Sequence, residues 1–505
     1  MSLSQDTVSI AEALAALAAA DPDRPAVTCG DRTVTRAELE ARTNRLARAY
    51  LDLGALPDSF VTIGLPNGIE FIEATIAVWK AGATPQPVSD RLPTAERRAI
   101  IELADPSLVV GIDITEAGGR PSIPSGFEPG PSHPETPLEP RIAASVKAPT
   151  SGGSTGRPKL IVSGHRATSA NVTINAGYTR MPKDGVHLAT GPMHHNGPFI
   201  YALAALFTGS QVVVMPRFDA EEALALVERH RVDWMYLVPT MMQRIWRLPE
   251  SSRLGHDLSS LQAVFHVAAP CPEWLKQAWI DWLGPSTILE LYGGTEGQVA
   301  TFIDGTEWLA HRGSVGRPLS GEIEIRGADG VRSANGEIGT VWIRRQAGTQ
   351  KTYTYIGAES RTGGDGWETL GDVGWMDEDG YLYLTDRDTD MILVGGSNVY
   401  PAEIEAVLTE HPAVSDACVV GLPDDDLGNV PHAIVALSSP IDDDELHAYL
   451  RARLASYKLP RTFERVAGPL RDDAGKVRRS ALRADRLPGA QVLTAGRMPR
   501  PDCPA

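Results

Sequence analysis

Nine consecutive residues, Ser151-Gly152-Gly153-Ser154-Thr155-Gly156-Arg157-Pro158-Lys159, carry the groups that a phosphate needs. Backbone N–H groups of a glycine-rich turn can face an anion, the hydroxyls can donate, and lysine supplies charge. The run is not a Walker loop, because G-x-x-x-x-G-K-[ST] is absent, and taken alone a glycine-serine run is more often a plain linker. Tyr292-Gly293-Gly294-Thr295-Glu296-Gly297 follows an apolar strand-like stretch and gathers an aromatic face, a hydroxyl and a carboxylate in one turn. Such a carboxylate can hold Mg²⁺ through oxygen, although a tight strand-end turn needs no ligand to exist. His194-His195 lies in Gly191–Phe199, and paired imidazoles suggest a metal. No Cys, Asp or further His stands at ligand spacing beside them, so a structural pair at a strand end is the competing reading.

A second group of candidates lies later in the chain. Asp372 follows a glycine, where a carboxylate is presented at a strand end. Asp386-Arg387-Asp388-Thr389-Asp390 has five polar residues and no apolar face, which makes it a poor core element and a candidate hinge. Gly395-Gly396 permits backbone approaches that side chains would block. Lys476, next to Gly475, reads without context as a solvated charge.

Alternating strands and helices must position these groups. Thr35-x-x-Glu38 is a capping box, followed by Leu39, Leu46, Tyr50 and Leu53 at helical spacing and by Gly54 as a stop. Phe60–Leu65 predicts a buried strand, Ile69–Ala81 a helix, and Pro87-Val88 the end of another strand. Alternation of this kind implies a parallel sheet with helices on its faces. Val232–Val238, Leu261–Val267 and Leu289–Leu291 extend the pattern, and Pro239 opens a helix. Gly118–Pro140 is rich in Pro, Gly and Ser and predicts a mobile surface loop. Asp377–Gly380 is a turn between short strands, and Pro401 begins a helix with Glu403 and Glu405 in its first turns. Ala413–Val420 and His432–Leu437 predict strands, and Asp442–Leu454 a helix.

At 505 residues the chain needs two or more cores, and 42% hydrophobic composition can fill them. A formal net charge of −17 excludes nucleic acid and anionic membrane surfaces as natural partners. Four cysteines lie far apart, with no C-x-x-C, and give neither a disulfide framework nor a zinc site. The N-terminus lacks a basic signal-peptide region, and its alanine-rich run is interrupted by Glu12, which predicts an amphipathic helix. No segment reaches membrane-spanning length, and the expected compartment is the cytoplasm.

Taken together, the motifs resemble those of the adenylate-forming superfamily, which holds acyl-CoA synthetases, peptide-synthetase adenylation domains and luciferases. Ser151–Lys159 is similar to the family's [ST]-[SG]-G-[TS]-[TS]-G-x-P-K, Tyr292–Glu296 to its Y-G-x-T-E, and Gly395–Glu405 to its G-G-x-N-[IV]-x-P-x-E-[IV]-E. Asp372 and Arg387 match its junction aspartate and arginine. Tyr457–Pro460 matches Y-K-x-P, and Lys476 matches the lysine loop near the family's C-terminus. The resemblance covers nearly the whole chain and implies an α/β fold. That fold has a large multi-layer N-terminal domain with parallel sheets, about 1–388, and a small mobile α+β lid, about 389–485, with 486–505 as a loose tail.

The resemblance also implies roles. Ser151, Gly152, Gly153, Ser154, Thr155, Gly156 and Lys159 would bind phosphates. Tyr292 would stack on adenine beside Ala269 and Gly293, Thr295 would meet a phosphate, and Glu296 would hold Mg²⁺. Asp372 would accept from the ribose, with Arg387 at the junction. His195 would stand beside the substrate carboxylate, and Lys476 would offset charge at the α-phosphate. Asp388-Thr389 would be the hinge that brings Gly395 and Gly396 against CoA. Where the family has glycines beside adenine, this chain has Ala268-Ala269.

For the acid, peptide-synthetase relatives carry an aspartate after the histidine motif to hold an ammonium. None occurs between Met193 and Thr208. The run His194–Phe199 resembles that of synthetases for bile acids and steroid side chains. The expected pocket comprises Asn196, Gly197, Phe199, Met241, Met242 and Gly294 with Trp246, the glycines leaving room for a bulky hydrophobic acid. The implied co-substrates are ATP with Mg²⁺ and CoA, and a homodimer is allowed. Two other readings remain open: an enzyme that stops at acyl-AMP or loads a carrier protein or partner synthetase, and a non-catalytic nucleotide-binding relative.

Overall fold

Six short strands run parallel in the order Pro25–Cys29, Gln211–Val214, Val186–Ala189, Trp234–Leu237, Ala263–His266 and Ile288–Tyr292. Their sequences are mostly apolar, as strands of a parallel sheet covered on both faces must be. Parallel pairing places all six carboxyl ends on one edge. The segments that leave that edge contain His195, Val238, Ala268 and Glu296. The computed structural model describes residues 7–152, 158–387, 389–424, 426–472 and 474–487.

The chain divides into two units, Met1–Thr385 with Asp473–Lys476, and Asp386–Asp472 with Val477–Ala505. In the first, a second parallel sheet orders Thr84–Pro87, Phe60–Ile63, Leu108–Val110 and Ser122–Ile123. Helices Ile69–Lys80 and Asn196–Phe207 are buried on nearly every face, which explains their apolar composition. Phe199 meets Phe71 and Trp79 edge-on at 6.3 and 6.2 Å between ring centroids. The Lys80 ammonium enters this interior only because Glu40 and Asn44 accept from it, at 2.6 and 2.7 Å.

The Thr35–Glu38 capping box forms as the sequence predicts and opens helix Arg36–Asp52. A second box, Ser9 with Glu12, caps Ile10–Ala20, so the glutamate that interrupts the apolar run is a cap residue. The Pro- and Gly-rich segment 118–140 does form a loop apart from Ser122–Ile123. It does not run free, because Arg42, Arg45 and Arg48 of the helix donate to carbonyls of Phe127, Pro129 and Thr136.

Beyond Tyr292 the main sheet turns antiparallel through Thr301–Asp304, Ser314–Pro318, Leu382–Arg387, Asp372–Met376 and Gly339–Arg344. Asp377 makes the expected turn by accepting from the N–H groups of Asp379 and Tyr381. A three-stranded sheet joins Thr150–Gly152, Pro158–Ser163 and Tyr353–Ile356.

The second unit has its own core. Strands Val414–Asp424 and Gly428–Leu437 form a long antiparallel pair, with Thr462–Val466 parallel to the latter. Helices Pro401–Glu410 and Asp443–Arg451 contribute Ile404, Leu408, Leu446 and Leu450 to the interior. Glu405 is buried, and it accepts from the Val419 N–H and from Arg471 and Arg479.

Candidate active site

Four loops at the carboxyl edge bring polar groups together in the first unit. The phenol of Tyr292, the last residue of its strand, donates to Asp372 Oδ2 at 2.6 Å. Asp372 begins its own strand, so both groups sit at strand ends, where backbone pairing fixes the side-chain direction. Four residues on, Glu296 is 7% exposed and accepts from Tyr355 Oη at 2.5 Å. Lys159 Nζ lies 3.7 Å from Glu296 and 3.9 Å from the centre of the Tyr355 ring. Burial, together with the Glu296 carboxylate, drives the Tyr355 phenol well above its ordinary range. Lys159, Tyr355 and Glu296 therefore form one polar wall, with a strongly held anion beside a cation. Thr295 is half-buried in the intervening turn, and Gly293 is exposed.

His195 occupies the position before helix Asn196–Phe207 but its imidazole does not cap that helix. Its ring centre lies 4.3 Å from that of His194. Burial, then the charges of His194 and Lys476, hold His195 well below the usual histidine range, so it stays neutral near pH 7. Ala474–Lys476 groups with the first unit. A Cβ on Gly475, which stands at φ +75°, would meet Thr240 Oγ1 at 2.9 Å, so only glycine fits this approach. Lys476 itself is exposed.

A buried ionic group includes His266, which stands just before the next turn. Lys276 Nζ pairs with Glu290 Oε2 at 2.5 Å, and His266 Nδ1 lies 3.9 Å from the same carboxylate. Burial pushes His266 down to about 4. The chain then leaves the strand through Ala268, whose φ is +77°. An alanine thus occupies a conformation that favours glycine, at the place where the family has glycine. Ala269 follows, half-buried.

The predicted apolar wall is corrected by the structure. Phe199, Met241 and Met242 are at most 1% exposed and belong to the core, offering no free face to a ligand. Trp246 packs edge-on against Trp282 and under the Arg253 guanidinium. The glycines do not leave room either. A Cβ on Gly197 would strike Tyr236 Oη at 2.5 Å, and one on Gly294 would strike Leu370 Cδ1 at 2.5 Å. Space beside them is already filled by the protein's own side chains. Asn196 is half-buried, and its Oδ1 accepts from Lys147.

Of the phosphate-loop residues, Ser151, Gly152 and Lys159 lie in the paired strands, whereas Gly153, Ser154, Thr155 and Gly156 lie outside the described residues. Asp388 also lies outside them. In the second unit, Arg387 is exposed at a strand end and Thr389 is exposed. Gly395 and Gly396 stand at φ +54° and +85° between paired Val394 and Ser397. A two-residue hairpin with both φ positive demands such residues, so the turn alone accounts for the pair.

Sequence reasoning missed Lys147, Tyr355 and the Lys276–Glu290–His266 group. For Lys147 there was a signal, a lone cation in the small and apolar run Ala143–Pro149. Tyr355 alternates like any strand tyrosine, and nothing local marked it.

Residues 14–354 match the AMP-binding enzyme family, and residues 403–474 match the AMP-binding enzyme C-terminal domain. The chain belongs to the AMP-binding enzymes, the adenylate-forming superfamily. The 2-succinylbenzoate–CoA ligase of Bacillus licheniformis is 30% identical over 91% of this chain and 97% of its own. A 3-[(3aS,4S,7aS)-7a-methyl-1,5-dioxo-octahydro-1H-inden-4-yl]propanoyl:CoA ligase of Mycobacterium tuberculosis is 31% identical over 92% and 96%. The o-succinylbenzoate CoA synthetase of Bacillus subtilis, solved with its acyl-adenylate, superposes with a TM-score of 0.80 at 27% identity, covering 93% of this chain and 97% of that one. It has also been solved with AMP, and with ATP and a magnesium ion. This AMP-binding enzyme is an AMP-forming acyl-CoA ligase, and ATP, Mg²⁺ and CoA are its cofactors and co-substrates.

The residues present fit that chemistry. Glu296 offers buried oxygen ligands of the kind a hard cation takes. Lys159 beside it has the charge that phosphate oxygens would need, and the Tyr292–Asp372 pair joins a ring to an acceptor carboxylate.

Proposed function

We propose that this acyl-CoA ligase activates a bulky, hydrophobic carboxylic acid without an α-amino group and passes it to CoA. The observation that carries the choice of acid is the start of the helix after His195. Asn196–Phe207 offers no carboxylate there, and the side chain that reaches Asn196 is the Lys147 ammonium. A substrate ammonium placed beside Asn196 would meet a like charge. The ring-bearing acids named for the two curated relatives support the same reading.

In the first half-reaction a carboxylate oxygen attacks the α-phosphorus of ATP, the α–β phosphoanhydride bond breaks, and pyrophosphate leaves. Neutral His195 orients the carboxylate, and Lys476 provides the positive charge that offsets crowding of anions at the α-phosphate. Ser151–Gly156, Lys159 and Thr295 bind phosphate oxygens. Tyr292 stacks on adenine along the backbone of Ala269 and Gly293, and Asp372 accepts from the ribose hydroxyls. Glu296 would hold Mg²⁺, which supplies charge stabilisation for the leaving pyrophosphate. In the second half-reaction the CoA thiolate attacks the acyl carbonyl, the bond to the AMP oxygen breaks, and AMP leaves. We assign Arg387, Asp388 and Thr389 to the pivot between half-reactions, and Gly395 and Gly396 to the pantetheine. The proposal places the enzyme in the cytoplasm, and no helix among the described residues is long and apolar enough to cross a membrane.

A pyrophosphate-release screen over fatty, aromatic, amino and polycyclic acids, with and without CoA, tests this reading. Each buried methylene adds about 0.8 kcal/mol, so a ring-bearing acid should exceed acetate by several orders of magnitude in kcat/KM. The highest value falling to an amino acid or a two-carbon acid would overturn it. Acyl-AMP that stays enzyme-bound despite CoA, with no AMP released, would favour an enzyme that stops at acyl-AMP or serves a separate carrier.

A further inference from the structure

The backbone that carries Lys147 is held in place on both sides. The Lys147 carbonyl accepts from the Ser163 N–H at 2.9 Å, and the flanking Ala148 N–H donates to the Pro85 carbonyl at 3.0 Å. Extended backbone then sends Val146 and Ala148, at 3% and 0% exposure, into the core, and Lys147 to the other face. There its Nζ donates to Asn196 Oδ1, on the first residue of helix Asn196–Phe207.

This ammonium has donors to spare. It carries three N–H groups, and among the described residues Asn196 is the acceptor it reaches, with no carboxylate in ion-pair range. Glu296 influences it from farther off but is itself engaged by Tyr355 and Lys159. Enclosing a cation with one amide oxygen is costly, and burial lowers Lys147 to about 8. A structural lysine would be expected to resemble Lys80 or Lys276, each closed off by a carboxylate at 2.6 and 2.5 Å. Lys147 differs from both, and it keeps accessible surface where they have almost none.

His195 feels His194 and Lys476, whereas the Lys147 charge is felt at His165. The carboxylate being adenylated is already assigned to His195 and Lys476, which leaves the Lys147 ammonium beside Asn196 for another anionic group. Resting on the acyl-ligase reading above, we propose that Lys147 and Asn196 form a recognition corner for a second carboxylate, so that the preferred acid is a bulky ring compound carrying two.

A matched pair of acids tests this. A 3-arylpropanoate and the same compound with an ortho ring carboxylate are compared by pyrophosphate release with ATP and CoA. A charge-assisted hydrogen bond predicts a kcat/KM ratio of about ten- to a hundred-fold in favour of the diacid. Lys147→Met should collapse that ratio to near one, and Lys147→Arg should retain most of it, each variant being checked for a wild-type thermal transition. A wild-type preference for the monoacid, or a ratio that Lys147→Met leaves unchanged, would overturn the proposal and leave the ligase reading standing. Pyrophosphate release from neither acid nor any of the wider panel would overturn both.

Discussion

The proposed nucleotide end and the expected acyl end of the first unit were marked in the sequence by different kinds of residue, and the structure treats the two kinds differently. Tyr292, Glu296, Asp372 and Lys159 are polar, and all four are bonded or paired with another group. Phe199, Met241 and Met242 were singled out as apolar, and all three are core. A partly buried polar group needs a partner or a ligand, so its presence in a turn points to chemistry. An apolar side chain is at home in a pocket wall or in a core, and its type does not separate the two.

The largest expected effect tests the acyl side of that contrast. Phe199→Ala removes a ring packed on Phe71 and Trp79 and should cost about 3–5 kcal/mol of stability, measured by denaturant unfolding. If Phe199 instead lined a pocket, stability would hardly change and the ranking of acids would shift. That outcome would return Phe199 to the substrate site and blur the contrast.

The next largest effect belongs to Lys476, the proposed catalytic lysine. Lys476→Ala should slow pyrophosphate release by about 10²–10³-fold, the usual cost of losing one preorganised charge-stabilising group. Thioester formation from supplied acyl-AMP should suffer far less, because the α-phosphate crowding is then already resolved. Equal losses in both half-reactions would show that Lys476 is a structural element of its loop.

Why the rest was not legible follows from particular residues. The parallel strands were readable because a strand buried on both faces must be continuously apolar, as Trp234–Leu237 is. The capping box at Thr35 was readable because its two partners are three residues apart. Gly197 and Gly294 misled for the opposite reason. A glycine records that a Cβ is not tolerated, and what occupies the space, Tyr236 or Leu370, lies far off in sequence. Lys147 was passed over because its meaning depends on Asn196, 49 positions away.

Asp372→Asn sharpens the nucleotide side at a smaller scale. The carboxylate that accepts from Tyr292 should also accept from the ribose, and both ATP and AMP carry that ribose. A charged hydrogen bond contributes roughly 1.5–3 kcal/mol, so calorimetry should show about ten- to a hundred-fold weaker binding of both nucleotides. Unchanged ATP affinity would make Asp372 a partner for Tyr292 and nothing more.

The smallest effect concerns a backbone strain, among the described residues, at the proposed nucleotide end. Ala268 leaves strand Ala263–His266 at φ +77°, a region that costs an L-residue about 1–2 kcal/mol. His266, two residues before Ala268, is buried beside the Lys276–Glu290 pair. Ala268→Gly removes the steric cost but gives back part of the gain as extra freedom in the unfolded chain, up to about 1 kcal/mol. The variant should therefore be slightly more stable, with a thermal midpoint raised by a degree or two. Nucleotide affinity should be unchanged or slightly tighter, since glycine keeps the same path and lets adenine approach the backbone. A destabilised variant would show that the Ala268 methyl makes a packing contribution larger than its strain. In that case the alanine at this turn, far from being a tolerated departure from glycine, would be part of what shapes the adenine side.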